Sequence, residues 1–267
     1  MTFTRRAALA LMTAAAVAAS VAATPLAAQT PDEIKAKGTI TVGMLVDFPP
    51  FGIMNTDNQP DGYDADVAKL LAEDLGVKLN ILPVTGPNRI PYLLSGQVDV
   101  LVASLGITPE RAERVDFSDP YAGIAIAVYG DKDVDLSSPE KLAGHTIGVT
   151  RASTQDTAVT KVAPAGATIQ RFDDDSSAVQ ALLAGQVEAI GVSNIISNQI
   201  EAMAPGRYEV KFDLAQQVQG IAVRPGQDAL LAEINAFVAK VKADGRLNEI
   251  HEKWLGSPLP DFVAAAK

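Results

Sequence analysis

The run Leu93-Leu94-Ser95-Gly96-Gln97-Val98-Asp99 returns later in the chain as Leu182-Leu183-Ala184-Gly185-Gln186-Val187-Glu188. Each copy reads as the end of a helix, a glycine that closes it, and the start of a buried strand. Carried on in register, Ser104 stands opposite Ser193. The connection "LL-x-G-x-V-D/E" is common by itself, so coincidence is the competing explanation. The surroundings favour a true duplication, because both copies sit in an alternation of strand-like and helical runs. Thr39–Leu45, Lys78–Leu82, Val98–Val102 and Gly123–Tyr129 read as strands, with helices over Asp64–Leu75 and Asn88–Ser95 between them. The order then repeats. Strands are expected at 146–149, 168–172, 187–192 and 217–224, with helices at 154–162, 176–183 and 195–202. Two further helices finish the chain. Such alternation predicts an α/β fold with mainly parallel sheets covered by helices on both faces.

The most chemically informative stretch is GQVDVLVASLGITPERAERVDFSDPY, from Gly96 to Tyr121. Past the strand's carboxyl end come a small hydroxyl, Ser104, and a glycine, Gly106. Thr108 can cap the next helical turn, with Pro109 at its first position, and Arg111 follows within that turn. Open α/β sheets bind ligands at the carboxyl ends of their strands. An arginine there suits a carboxylate, which it can hold bidentately. Together with Gly62-Tyr63-Asp64-Ala65-Asp66 before a helix, this run resembles the amino-acid-binding (family 3) solute-binding proteins of bacterial ABC importers. The resemblance extends over nearly the whole chain after the first thirty residues.

The resemblance implies a two-lobed, type II periplasmic-binding-protein fold with the ligand cleft between the lobes. Lobe 1 is expected over 29–123 and 221–267, and lobe 2 over 124–220. Gly123 and Gly220 are the candidate hinge points, and two crossings of this kind permit closure over a ligand. Arg111 matches the family position that clamps an α-carboxylate, and Ser104 and the Gly106 N–H match its neighbours. Phe48, in Phe48-Pro49-Pro50-Phe51, matches an aromatic that stacks on the ligand; ordinary core packing is the alternative. Arg89, in a Gly86-Pro87-Asn88-Arg89-Ile90-Pro91 setting, resembles the arginine that meets a side-chain carboxylate in branches taking aspartate or glutamate. A structural arginine bracing the helix is the alternative. In lobe 2, Ser153 and Thr154 at a helix start offer hydroxyls and N–H groups to an anion, with Arg151 at the rim. The chain departs from the family at Ser193, where an aspartate usually binds the ligand's α-ammonium group. A serine supplies no counter-charge, and an unpaired buried ammonium is costly. Either another acid such as Asp47 takes the role, or the ligand is not a standard α-amino acid. Asp173-Asp174-Asp175 reads as a helix-start cluster, not a metal site, since acids are stabilising there.

The first 28 residues read as a secretory signal peptide: Arg5 and Arg6, an uncharged Ala-rich stretch over 7–23, and a cleavage site after Ala28. The stretch is short and weakly hydrophobic for a membrane anchor. Without it the formal charge moves from −10 to −12, which argues against a nucleic-acid partner. There is no cysteine, so thiol chemistry and lipidation at a cysteine are absent. Two histidines, His145 and His251, lie far apart and give little basis for a metal site or a Ser-His triad. No cofactor is indicated.

The expected function is therefore a periplasmic, monomeric, non-enzymatic receptor for a small amino acid, with aspartate or glutamate favoured by the arginine pair. It would deliver its ligand to an ABC permease in the inner membrane. A receptor for a non-amino carboxylate is the first alternative. A cyclohexadienyl-dehydratase-like enzyme on the same scaffold is the second, and it would need a well-placed general acid. A sensor domain of a signalling protein is the third.

Overall fold

The computed structural model describes residues 30–266, and the signal peptide expected over residues 1–28 lies outside them. The first half of the chain runs α1 (Pro31–Lys37), β1 (Thr39–Leu45), β2 (Ile53–Met54), β3 (Pro60–Asp61), α2 (Tyr63–Leu75), β4 (Lys78–Val84), α3 (Arg89–Leu94), β5 (Val100–Leu101), α4 (Pro109–Ala112) and β6 (Asp116–Asp131). A 3-10 turn at Pro139–Leu142 leads into β7 (Thr146–Thr150), α5 (Thr154–Val162), β8 (Thr168–Phe172), α6 (Asp175–Leu183), β9 (Ala189–Ser193) and α7 (Asn194–Met203). The chain closes with β10 (Tyr208–Val223), α8 (Asp228–Ala243), α9 (Arg246–Leu255) and α10 (Asp261–Ala264).

Eight strands form one hydrogen-bonded sheet in the order β4-β1-β5-β10-β6-β9-β7-β8. The outer trios mirror each other: β4-β1-β5 and β8-β7-β9 are each parallel, with the first strand of its half in the centre. The repeated motif explains why. Gly96 (φ 75°) and Gly185 (φ 69°) both take the left-handed conformation that lets a helix end and the chain turn into the next strand. The acid that follows does the same work in each copy. Asp99 accepts from the Thr41 N–H at 2.7 Å, and Glu188 accepts from the Thr146 N–H at 2.9 Å. Each carboxylate thereby anchors its strand to the central strand of its own half. The duplication read from the sequence is thus a duplication of hydrogen bonds.

The centre of the sheet departs from the parallel expectation. β6 and β10 are sixteen-residue strands that pair antiparallel along most of their length and run through both halves. The sequence alone predicts strands only over 123–129 and 217–224. Register shifts interrupt the pair at Gly220, between Gln219 and Ala222. Helices cover both faces, and the core joins Ile40, Leu71 and Leu101 on one side to Ile126, Ile190 and Ile200 on the other.

The entry to α2 is held by backbone instead of a capping side chain. The N–H groups of Tyr63 and Asp64 donate to the carbonyls of Pro50 and Phe51, at 3.0 and 2.9 Å. This satisfies groups that a helix start otherwise leaves unpaired. It also requires Gly62 at φ 123°, where a Cβ would sit 2.5 Å from the Phe51 carbonyl oxygen. Gly62→Ala is therefore expected to destabilise the fold by about 1–3 kcal/mol, read as a lower denaturation midpoint at unchanged m-value. An unchanged midpoint would show that the turn relaxes without cost.

Candidate functional site

The carboxyl ends of β1, β5 and β7 open into a single cleft, closed on its other sides by the starts of α3, α5 and α6. Six of the eight residues singled out from the sequence line it: Phe48, Arg89, Ser104, Arg111, Ser153 and Thr154. They come from distant parts of the chain because strand ends on both halves face one crevice.

Thr108 caps α4 by accepting from the Arg111 N–H at 3.3 Å, with Pro109 at the first helical position. That short helix delivers Arg111 to the cleft. Its Nη1 donates to the Gly106 carbonyl at 2.8 Å and its Nη2 to the Ala152 carbonyl at 2.9 Å, so the guanidinium bridges the two halves. Burial, with the charge of Arg89 nearby, pulls its pKa down to about 9. A cation short of counter-charge in a polar crevice is a receptor for an anion. Arg89 is buried, and its Nη1 donates to the Ala103 carbonyl at 2.9 Å. Burial lowers its pKa to about 10, opposed by Asp175, Asp47 and Asp64 around it. It braces the chain just before Ser104 while its guanidinium also faces the cleft. Phe48 stacks on Phe51 with ring centroids 5.3 Å apart, and it also forms part of the cleft wall.

Two candidates stand elsewhere. Gly106 sits behind Arg111, where a Cβ would meet Thr154 and Gln217 carbons at 2.8 Å. Only a glycine lets the α5 start approach this closely. Ser193 is fully buried outside the cleft lining, and its hydroxyl caps α7 by accepting from the Ile196 N–H at 3.3 Å. The register that set Ser104 opposite Ser193 breaks at this point. β9 continues through Ser193 straight into α7, whereas β5 ends at Leu101 and the chain turns left-handed at Ser104 (φ 46°).

The acid that sequence reasoning passed over is Asp175. The three aspartates of its cluster have three separate fates. Asp173 pairs with Arg151 at 3.2 Å on the surface, Asp174 caps α6 by accepting from the Ser177 N–H, and Asp175 turns into the cleft. There it accepts from the Thr150 hydroxyl at 2.7 Å. Burial raises its pKa to about 6, with Asp47 and Asp174 adding to the rise and Arg89 opposing it. Asp47, also in the lining, is likewise raised, by burial first and Asp174 second. A first-turn acid facing the carboxyl end of the neighbouring strand was the available signal.

The cleft therefore presents two arginines and two aspartates, in addition to Arg151, whose charge Asp173 matches outside. The model of the bacterial extracellular solute-binding proteins, family 3, matches residues 40–257. The ABC transporter glutamine-binding protein GlnH of Bacillus subtilis strain 168 is 34% identical over 230 residues, 83% of each chain. The solute receptor for L-cysteine of Neisseria gonorrhoeae superposes with a TM-score of 0.80 at 34% identity, covering 85% of this chain and 94% of that one. The ancestral amino acid-binding protein AncCDT-1, described as a precursor of cyclohexadienyl dehydratase, gives a TM-score of 0.76 at 31% identity, over 84% of this chain and 98% of that one. By sequence and by these likenesses, the chain belongs to the family 3 bacterial extracellular solute-binding proteins.

Proposed function

We propose that the protein is the periplasmic receptor of an ABC importer, that it binds a small α-amino acid with an uncharged polar side chain, and that it hands the ligand to an inner-membrane permease. The observation that carries this reading is the presence of Arg111 and Asp175 in one small cleft. A carboxylate on the guanidinium and an ammonium on the aspartate would place the two ends of a zwitterion on opposite charges. Asp175 takes the part that the sequence left open at Ser193.

An acidic side chain is less favoured than the arginine pair alone suggests. Arg89 has Asp47, Asp175 and Asp64 around it, and one of its N–H groups is used on the Ala103 carbonyl. With Arg151 matched by Asp173, the lining charges balance, which suits a ligand of zero net charge. The relatives named for glutamine and for L-cysteine agree with an uncharged side chain, whereas others are named for arginine.

Ligand uptake in this reading is a hinge movement of lobe 2 (124–220) against lobe 1 (29–123 and 221–267), in a monomer. Two glycines on the paired central strands, Gly123 and Gly220, and the register shifts around Gly220 support that hinge. The polar contacts that would break on opening include Arg111 to the Ala152 carbonyl and Gln199 to the Pro49 carbonyl at 2.8 Å. One observation supports an enzymatic alternative: Asp175, with its pKa near 6, has the character of a general acid. Turnover of prephenate or arogenate by the purified protein would establish that alternative, and its absence leaves the receptor.

Two substitutions test the receptor directly. Arg111→Ala is expected to weaken amino-acid binding by about 100-fold or more, given a charge-assisted bidentate contact, while the melting temperature of the free protein stays within a few degrees. Asp175→Asn is expected to cost about 10- to 100-fold for glutamine or cysteine and much less for their des-amino analogues, glutaramate and 3-mercaptopropionate. Calorimetric titration reads both. Near-normal affinity in Arg111→Ala would remove the carboxylate assignment, and equal losses for amine and des-amino ligands in Asp175→Asn would remove the ammonium assignment.

A further inference from the structure

Asp64 lies wholly buried in the first turn of α2, outside the lining of the cleft. Its carboxylate accepts two hydroxyl hydrogen bonds. Ser104 Oγ donates to Oδ2 at 2.7 Å, and Tyr121 Oη donates to Oδ1 at 2.8 Å. The network continues outward: the Ser104 N–H donates to Tyr121 Oη at 3.1 Å, and Tyr63 Oη donates to the Tyr121 carbonyl at 2.8 Å. It holds Ser104 in its left-handed conformation, and Ser104 is the one member of the network that also faces the cleft.

A serine hydroxyl has one proton and two lone pairs. With that proton committed to Asp64, the oxygen can act toward the cleft only as an acceptor. A ligand carboxylate offers no proton to accept, whereas an ammonium group brings three N–H donors and needs more acceptors than Asp175 alone supplies. We propose that Asp64 is a positioning residue that fixes the Ser104 hydroxyl as an acceptor for the ligand's ammonium group, and so makes the site prefer amines to des-amino carboxylates. This rests on the amino-acid reading given above.

The same geometry makes the preference depend on pH. The groups facing Asp64 are Ser104 from the loop after β5, Tyr121 from β6, Arg89 from α3 and Tyr63 beside it on α2, with His251 of α9 edge-on to Tyr63 at 5.9 Å. Burial pushes the Asp64 carboxyl up to about 7, against the hydroxyl hydrogen bonds and Arg89, which pull it down. Burial also lowers the His251 pKa, so that ring stays neutral at neutral pH. A protonated Asp64 has an O–H of its own to donate, and one of the two hydroxyls must turn to accept it. If Ser104 turns, its proton points at the ligand's ammonium. Amine affinity then falls as pH drops through about 7, and the Asp64→Asn variant separates this step from that of Asp175. The contribution of Asp64 to folding runs the other way. The folded chain holds this proton more tightly than the unfolded chain, so the free protein gains stability from Asp64 as pH falls from above 7 toward 4.

The test is calorimetric titration of the mature protein between pH 5 and 8.5 with glutamine against glutaramate and cysteine against 3-mercaptopropionate. In the wild type, the amine of the bound pair is expected to lose affinity below pH 7 while its des-amino partner does not. Asp64→Asn offers the two hydroxyls one oxygen in place of two and carries no charge. It is expected to weaken amine binding about tenfold at pH 8, to leave des-amino binding within about twofold, and to remove the step near 7. Tyr121→Phe keeps the Ser104–Asp64 bond, takes one donor from the carboxylate, and is expected to move the step to higher pH. Equal losses for both ligands in Asp64→Asn, or a step that survives it, would overturn the role. Should that variant fail to fold, an unmoved step in Tyr121→Phe overturns it instead. A wild type that binds only des-amino ligands removes the amino-acid reading and this role together. A wild type that prefers amines while Asp64→Asn loses both ligands alike removes this role alone.

Discussion

The antiparallel pairing of β6 with β10 is the constraint on which the rest of the molecule depends. Among the described residues, these two strands are the only sheet elements shared by both halves, and each half hangs its parallel trio on one side of them. The cleft lies where it does because the carboxyl ends of the two trios meet over that central ribbon. A ribbon of two strands resists sliding, since slipping by one residue turns every side chain to the other face. Register shifts interrupt its ladder around Gly220, which the proposed hinge would use. The fold thereby fixes which residues can meet.

The second constraint is electrostatic. Arg89 is buried beside Asp64, Asp47 and Asp175, and Arg111 lies close enough to feel its charge. Taking such groups out of water is expensive, and the cost is recovered only by mutual pairing and well-formed hydrogen bonds. Here the recovery is incomplete: both guanidiniums are pulled below their ordinary pKa, and the carboxyls of Asp64 and Asp175 are pushed above theirs. In the proposed reading, a zwitterion that brings a carboxylate to Arg111 and an ammonium to Asp175 would complete the set. Much of the selectivity of such a site is then stored before the ligand arrives, in hydroxyls and carbonyls already oriented by buried neighbours.

Much of this architecture could be read directly from residue order. The glycines of the repeated motif, the Thr108 cap and the proline after it act through contacts within a few residues, so local sequence suffices to find them. The full length of the central strands was harder to see. Pro120 lies inside β6, and the first half of β10 alternates Glu209, Lys211 and Asp213 with Val210, Phe212 and Leu214. A proline and a charged alternation read as loop or edge; here both sit in the shared ribbon, where one face is open to solvent for part of its length.

The site divides along the same line. The sequence by itself determined the α/β class, the duplicated half and the strand-end location of Arg111, Ser104, Ser153 and Thr154, because these follow from periodicity, capping and family-like strings. Only the tertiary structure decided that Asp175 and not Ser193 brings an acid to the cleft, that Arg89 is ringed by carboxylates, and that the Ser104 proton belongs to Asp64. Asp64 and Ser104 are forty positions apart, and three adjacent aspartates went to a surface pair, a helix cap and a cleft wall. A hydroxyl's direction and a carboxylate's charge are set by which atoms lie within about 3 Å. For residues this far apart in the chain, that proximity is created by packing and is not written in their order.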